Sequence, residues 1–595
     1  MQANQATPQM RADDYQRLID IGIALSAEDD YARLTERILL EAKSFANADA
    51  GTLYLKSEDK ELAFQIVRND SLNIAMGGTT GVEIKFPPVA LYSESGAPNM
   101  NNVASYSGIT GEVINIADAY AATGRFDFSG TKRFDASTGY RSQSFLTVPL
   151  KNHQHEVIGV LQLINAKDRT GKVVPFDEAI LPMVNALASQ AAVSIENRML
   201  IGDLKNLLDS FIAMIAAAID TKSPYTGGHC QRVPVIAKML AEAACRSEDP
   251  PFRDFSLSED EMYELHIAAW LHDCGKVTTP EYVVDKATKL ETLYNRIHEV
   301  RTRFEVVKRD AEIEYLKKLV GGEGDPQALL EERDRRLKDL DDDFAFVAEC
   351  NVGGEFLSDE KRERLKRIAA VRWQRSLDDT LGLSHDEAKR KAGAPVRPLP
   401  AEERLLSDKE EHVVPWPPGP PLATDSKYGF RLDVPRHKFN LGEVYNLGVA
   451  RGTLTAEDRF AIAEHIVQTI VMLEQLPYPK HLRRVPEYAG GHHEKLDGSG
   501  YPRKLDGEHM SIPARIIAIS DIFEALTAAD RPYKAPKTLS ESIGIMAHMR
   551  DDGHIDPQLF RLFLASGVYR QYADRHLKPE QIDEVDVARF LGARH

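Results

Sequence analysis

Apolar positions recur at helical spacing near the start of the chain, at strand-like spacing after it, and at helical spacing again from about residue 179. Leu18, Ile21, Leu25, Leu34, Ile38 and Ala42 mark an amphipathic helical stretch. The runs AGTLYLK, ELAFQIV, SFLTVPLK and VIGVLQLIN are short, rich in β-branched and aromatic residues and separated by turn residues, which predicts strands. A helix then opens at FDEAI. From Ala179 to about Asp220 the chain reads as helical, and Val193, Asn197, Leu200, Leu204, Leu207, Phe211 and Met214 step by four and three residues. That is the spacing of a coiled-coil seam, so a helix pairing across a homodimer is expected, with Asn197 fixing its register.

A second heptad-like run passes through Leu293, Ile297, Val300, Phe304, Val307, Ala311 and Tyr315, turns at GGEGDP, and continues through Leu330, Leu337, Leu340 and Phe344. This predicts a protruding antiparallel helical arm whose alternating charges form a solvated face. The stretch VVPWPPGPPL follows, and proline removes backbone donors and fixes dihedrals, so an irregular segment is expected up to about residue 440.

Composition narrows the function. The 595 residues suggest several domains, and 91 acidic against 74 basic side chains leave a formal charge of −17. This balance argues against a nucleic-acid polymer or an anionic membrane as partner, because both are held by clustered Lys and Arg. No run reaches the roughly 18 apolar residues of a membrane span. The opening MQANQATPQMRADD lacks the basic start and apolar core of a signal peptide, which predicts a cytoplasmic location. Cys230, Cys245, Cys274 and Cys350 form no CxxC pair, so neither a disulfide framework nor a thiolate zinc site is indicated.

Histidine and aspartate carry the chemistry. An apolar helical run ends in His272-Asp273, with Lys276 one turn further on, where an ammonium suits a substrate phosphate. His229 follows a Gly-Gly turn, His465 lies in an amphipathic helix, GGHHEKLDGSGYP supplies His492 and His493, and ARIIAISDIFEALTAADRPYK supplies Asp521. Five imidazoles and two carboxylates exceed the needs of one tetrahedral site, and imidazole plus carboxylate is a ligand set for manganese, iron or zinc. Two divalent ions are therefore expected, and two ions about 3.5–4 Å apart can activate water and neutralise a phosphodiester.

HDCGK, HHEKLDGSGYP and SDIFEALTAADRPYK resemble the HD-GYP subgroup of the HD phosphohydrolases, with Gly500-Tyr501-Pro502 as the GYP element. The resemblance implies an all-helical domain that hydrolyses cyclic di-GMP to linear pGpG, and in some members onward to GMP, using iron or manganese. It implies metal ligation by His229, His272, Asp273, His465, His492, His493 and Asp521, with Asp273 and Lys276 serving catalysis. Lys276, Tyr501, Arg531 and Lys534 would face the substrate. Family members with a third metal place a glutamate where this chain has Tyr225, so two ions are expected rather than three. Position 524 is Glu where the family usually has Asp, and LTAADR is one residue longer than usual before Arg531.

The separation of His272 from His465, 465 − 272 = 193 residues, far exceeds the family's usual thirty or so. His298 lies at the more usual distance, yet the sequence flanking His465 runs on into the family's next motif, which favours His465. The family's single loop between these ligands is echoed twice, as DKATKLET and RGTLTAED, so the arm interrupts one loop beside the active site.

The N-terminal pattern resembles the GAF family of small-molecule-binding domains. Asn165, Lys167, Phe176, Asp177 and Glu178 approximate a motif of its cyclic-nucleotide-binding members, which implies a cyclic nucleotide or another small ligand there; the alternative is a strand end followed by an acidic helix start.

The expected architecture is multidomain α+β. An α/β GAF sensor domain covers 13–182 and a coiled-coil linker helix 183–222. An all-α HD-GYP domain is built from 208–290 and 440–575, with 291–439 as a long inserted helical arm and Pro-rich segment. The expected function is a GAF-regulated cyclic di-GMP phosphodiesterase, the alternatives being another cyclic nucleotide or dinucleotide as substrate, or a receptor that binds cyclic di-GMP without turnover.

Overall fold

The computed structural model describes residues 12–122, 124–222, 228–354, 356–395, 397–529 and 536–591, in two units, Met1–Asp209 and Ser210–His595.

The first unit is an antiparallel sheet covered by helices. Strands β1 (Ala48–Lys56), β2 (Glu61–Asn69), β3 (Ile74–Gly77), β4 (Val89–Ala90), β5 (Ile114–Ile116), β6 (Phe145–Lys151), β7 (Val157–Lys167) and β8 (Val173–Val174) form one sheet. Its main path runs β3-β2-β1-β7-β6-β5, with β4 beside β2 and β8 beside β7. Leu53 sits opposite Leu161 in the β1–β7 register, and Leu161 opposite Val148 in the β7–β6 register. These side chains share a core with Leu34, Ile38, Leu39 and Ala42 of one helix and Val184, Leu187 and Ala191 of another.

The amphipathic stretch expected near the N-terminus is two helices, Ala12–Ser26 and Tyr31–Ala46. The break has a local cause: Asp30 caps the second helix, its carboxylate accepting from Arg33 N at 2.7 Å. Helix Leu181–Lys222 is continuous over 42 residues. Val193, Leu200, Leu204, Leu207, Phe211 and Met214 are 44–69% exposed on it, an apolar stripe facing solvent and interrupted by Asn197.

The five residues of the nucleotide-like GAF motif serve the sheet and its exit. Asn165 adopts φ 58°; its amide donates to Arg141 O and its oxygen accepts from Gln143 N and Ser144 N. Lys167 is ion-paired to Asp49. Phe176 is buried in the core, and Asp177 caps the turn Glu178–Ile180 through Ala179 N.

The second unit is helical. Helices His229–Cys245, Glu259–Leu271, Ile512–Thr527 and Pro557–Ala565 pack Val233, Ile236, Leu240, Leu265, Ala268, Ile516, Phe523, Phe560 and Phe563 into one core.

A separate core lies in the stretch from Leu290 to Leu447, where Ile297, Val300, Phe304 and Val307 meet Leu340, Phe346, Val347, Leu365, Leu405 and Leu406. Its helices Ile297–Gly321 and Pro326–Val352 run antiparallel, tied by Lys308–Asp341 and Arg336–Glu314 pairs. Leu293 precedes the first of these helices and is 91% exposed, so it is no part of the apolar seam.

The segment expected to be irregular up to residue 440 is ordered in pieces. It contains helices Asp359–Ala369 and His385–Lys391, a hairpin pairing Arg372–Arg375 with Ala401–Arg404, and a short pairing of Val413–Val414 with Phe439–Asn440. Residues 415–421 of the proline run and residues 429–438 lack such elements.

The two stretches DKATKLET and RGTLTAED lie against each other. Lys286 pairs with Asp458 at 2.7 Å and its carbonyl accepts from Thr453 Oγ1. The fully buried Lys289 donates to Leu447 O and Val449 O at 3.0 and 2.7 Å.

Candidate metal centre

Five structural devices deliver the site. Helix Glu259–Leu271 starts in a Ser258/Glu261 capping box and gives way to the 3-10 turn Cys274–Thr278, with Asp273 at φ −105°, ψ 10°. That change of path aims adjacent His272 and Asp273 to a common side. His229 opens its helix directly after Gly228, whose φ of 79° suits glycine. His465 sits mid-helix in Ala456–Glu474, and His492 and His493 follow the short helix Val485–Gly490. Asp521 lies on helix Ile512–Thr527.

Gly275 explains how the turn reaches the His465 helix. A Cβ there would lie 1.9 Å from His465 O and 2.6 Å from Thr469 N, so only glycine permits the approach that Gly275 N then seals by donating to Thr469 Oγ1 at 2.9 Å.

The seven side chains converge in two groups that share one carboxylate. On one side, His229 Nε2 and His272 Nε2 each lie 3.4 Å from Asp273 Oδ2, and Asp521 Oδ1 is 3.2 and 3.7 Å from the same two nitrogens. On the other, Asp273 Oδ1 is 3.3 Å from His465 Nε2 and 3.9 Å from His492 Nε2, while His493 Nε2 is 3.2 Å from His465 Nε2. Atoms held about 2.0–2.2 Å from one cation lie roughly 3.0–3.6 Å apart, so most of these spacings fit ligation.

The second nitrogens are already taken. His272 Nδ1 bonds Ala269 O, His492 Nδ1 bonds Ala489 O, His465 Nδ1 bonds Ile462 O and His229 Nδ1 bonds Glu524 Oε2. A donor at Nδ1 leaves the lone pair at Nε2, facing inward. His272 Nε2, His492 Nε2 and Asp273 Oδ1 are buried without a hydrogen-bond partner, an arrangement a cation relieves. His465, His492 and His493 thus form one group that could hold an ion, and His229, His272 and Asp273 another.

Electrostatics differ between the two sides. Burial opposes protonation of His272, but Asp273 and Asp521 carry it up to about 9. Burial, with His272 nearby, pushes His492 down to about 3, and burial with His492 holds His493 well below the usual range. Cation binding on the first side therefore displaces protons, while His492 and His493 are already neutral. Burial also works against ionised Asp273, yet Lys276 and His272 keep its carboxyl well below the carboxylate range. Lys276 Nζ stands 2.5 Å from Asp273 Oδ2 and remains about one-third exposed, on the open side of the site.

Comparison with known proteins places these features. A family model described as "HD domain" matches residues 401–559, and one described as "GAF domain" matches 30–195. The chain carries a GAF domain and an HD domain. The HD match holds His465, His492, His493 and Asp521 but begins after His229, His272 and Asp273, and it starts inside the stretch expected to be inserted. Among curated relatives, the 3'3'-cGAMP-specific phosphodiesterase 1 of Vibrio cholerae is 54% identical over 76 residues, 13% of this chain and 17% of that protein. The 3'3'-cGAMP-specific phosphodiesterase 3 of the same organism is 38% identical over 126 residues, 20% of this chain and 26% of that protein. A cyclic di-GMP phosphodiesterase of Pseudomonas aeruginosa is 47% identical over 79 residues, 13% of this chain and 18% of that protein. The chain spans about a fifth of the length of these relatives.

Within the HD domain, the Gly500-Tyr501-Pro502 loop is built against the His492-His493 pair. Tyr501 stacks on His493 with ring centroids 4.8 Å apart and donates its N–H to His493 O at 3.2 Å. A Cβ on Gly500 would meet Lys495 N at 2.4 Å, which requires glycine. Buried Glu494 holds the loop's exit by accepting from Arg503 N and Leu505 N, a role the sequence left unread.

Glu524 also gains a role: it bridges His229 Nδ1 and Arg232 Nε, the latter at 2.6 Å, and lies behind the site. His298, the competing candidate, is exposed on the arm beside Arg301 and belongs to neither group of converging ligands. Tyr225, Arg531 and Lys534 lie outside the described residues.

Proposed function

We propose that this chain is a metal-dependent phosphodiesterase that hydrolyses cyclic di-GMP to linear pGpG. The observation that carries the reading is the position of Asp273, whose two oxygens face two separate imidazole groups. In this reading His229, His272 and Asp521 would hold one divalent ion and His465, His492 and His493 a second, with Asp273 placed to serve both. Iron or manganese suits the imidazole and carboxylate set. Bound divalent ions supply Lewis-acid polarisation of the phosphate and activation of water.

The chain's own groups do the remainder. Five neutral imidazoles and two carboxylates carry −2 against +4 from two dications, so the loaded site attracts a phosphodiester despite the acidic chain. Lys276 adds an ammonium at the open side, and its bond to Asp273 orients both groups. Tyr501, fixed by its stack on His493, walls the site and excludes water on that side. Arg531 and Lys534 complete the substrate contacts in this proposal.

A second substrate reading, 3'3'-cGAMP, is favoured by the names of two relatives. We further infer a homodimer through the exposed apolar stripe of helix Leu181–Lys222, a small ligand at the GAF domain that governs turnover, and a cytoplasmic location. Among the described residues no helix is long and apolar enough to cross a membrane.

Incubation of the manganese- or iron-loaded protein with cyclic di-GMP, 3'3'-cGAMP and cyclic di-AMP, with products resolved by mass spectrometry, tests the proposal. Linear pGpG is the expected product. Tight binding without any product would replace the enzyme by a receptor.

A further inference from the structure

Helix Leu181–Lys222 ends against the two segments that carry His229 and Asp273. Ile212, Ala216 and Ile219 near its end share one core with Cys230 and Val233 of the His229 helix and with Leu271 and Cys274, which flank His272-Asp273. Two polar side chains of its last turn reach out from that packing. Buried Asp220 accepts from Cys230 N at 3.4 Å, one residue after His229. Half-buried Lys222 donates from Nζ to Lys276 O at 3.2 Å and also to Val277 O.

A lysine in the last turn of a helix ordinarily meets its own terminal carbonyls or solvent. Lys222 instead spans 54 residues of sequence to reach the carbonyls of another segment. Ordering so long a side chain sacrifices rotamer entropy, which charge-assisted bonds to two carbonyls offset. The two carbonyls belong to the 3-10 turn Cys274–Thr278. Toward the end of such a turn C=O groups run short of partners within it, and an ammonium suits them in charge as well as in hydrogen bonding.

The backbone around Lys276 is held from several directions. Lys276 N donates to Asp273 O at 2.9 Å, and Lys276 O accepts from Thr279 N at 3.1 Å, which ties the turn to itself. Gly275 N ties it to the His465 helix through Thr469 Oγ1 at 2.9 Å. Lys222 adds a hold from a third element, on the peptide of Lys276 itself. The Lys276 side chain, about one-third exposed, owes its position to that backbone and to Asp273 Oδ2, 2.5 Å from Nζ.

We propose that Lys222 is a positioning residue for phosphodiester hydrolysis: by gripping Lys276 O and Val277 O it sets where the Lys276 ammonium stands relative to the metal ligands. Lys222 acts through Lys276 and not on the substrate. A misplacement of about 1 Å in a reacting group can cost on the order of 100-fold in rate, so a hold on the backbone at this point has leverage. Without it the end of the turn is freer, and the ammonium is no longer kept where a phosphate meets it. The inference rests on the phosphodiesterase reading for the word hydrolysis, whereas the grip itself does not.

The test compares wild type, Lys222→Met, Lys276→Met and the double variant as full-length, manganese-loaded proteins. Lys222→Met keeps the apolar stem and removes the ammonium. Its kcat/KM for cyclic di-GMP is expected to fall about 10- to 100-fold, with metal content and helical content unchanged. In the Lys276→Met background the same substitution is expected to cost nothing further, because the two residues act as one unit. A merely structural role makes the losses additive, and additive losses overturn the proposal. Lys222→Arg, which keeps cationic N–H donors, is expected to restore most of the rate. Where Lys222→Met loses helical content, Lys222→Gln takes its place in the cycle.

Hydrogen exchange across residues 274–279 reads the grip without turnover. Faster exchange in Lys222→Met that Lys222→Arg reverses is expected, and unchanged exchange overturns the grip. A wild type that forms no product fails the phosphodiesterase reading, while the exchange result still decides the grip. Equal turnover by wild type and Lys222→Met fails the positioning role alone and leaves the phosphodiesterase reading standing.

Discussion

Asp273 and His465 face each other at 3.3 Å although 192 residues separate them in the chain. The same carboxylate turns its other oxygen to His229 and His272, so it belongs to both halves of the centre. Asp273→Asn is therefore expected to lose both ions and all turnover, whereas His493→Ala loses one. Metal content by plasma mass spectrometry checks this, and an asparagine variant that retains a full pair of ions would contradict the bridge.

Glu524 orients His229 from behind and is itself held by Arg232. Glu524→Ala should weaken metal affinity about 10- to 100-fold, as loss of such supporting carboxylates does. Competition with a chelator gives the number, with helical content by circular dichroism as the control for folding.

Gly275 leaves no room for a side chain against His465 O and Thr469 N. Gly275→Ala must push the turn and the His465 helix apart, and overpacking of this kind costs about 1–3 kcal/mol or more. A lowered Tm together with lost turnover is expected, because the displaced groups include both His465 and the neighbour of Asp273.

Glu443 pairs with Arg303 of the arm while accepting from Ser407 N, and it is almost wholly buried. Burial alone would raise its pKa, but Arg303 wins and holds it below the glutamate range. A carboxyl depressed in the folded state stabilises above its unfolded pKa of about 4.3, and the contribution is lost as pH falls through the lower folded value. Glu443→Gln, by breaking a buried pair, should cost about 3 kcal/mol near pH 7. The gap from wild type should narrow as pH falls below about 4.3, and chemical denaturation at pH 7, 5 and 3.5 reads it. A gap independent of pH would show that the ionised form of Glu443 contributes nothing.

The apolar stripe on helix Leu181–Lys222 exposes Leu204 and Phe211 at 69% and 51%. Leu204→Asp with Phe211→Asp is expected to convert a dimer to a monomer in sedimentation velocity. A wild type that sediments as a monomer at micromolar concentration would sink the homodimer.

Much of this arrangement was legible because its signals are local. The strands Glu61–Asn69 and Val157–Lys167 announce themselves by β-branched runs between turns, and the arm by apolar residues at Ile297, Val300, Phe304 and Val307. His272-Asp273 and His492-His493 stand out because paired ligand types beside glycine are rare. The hairpin of RWQR with AEER was not legible: its residues alternate without an apolar face, so nothing local distinguishes it from a loop. The segment from Trp416 to Pro435 escaped for a related reason, since its contacts are with Phe460 and Pro502, which lie beyond it in sequence. Glu494 and Glu524 read as ordinary charges until their partners, brought together by tertiary packing, were in view.

The contact between Lys286 and Asp458 has a wider consequence. Because the chain leaves and returns at neighbouring points, the helical host registers the intervening stretch only as a longer loop, and loop-closure entropy grows slowly with length. Such a junction behaves as a socket: what is plugged into it can be exchanged without rebuilding the catalytic frame, and here the plug sets Trp416 against Phe460 of the helix that carries His465.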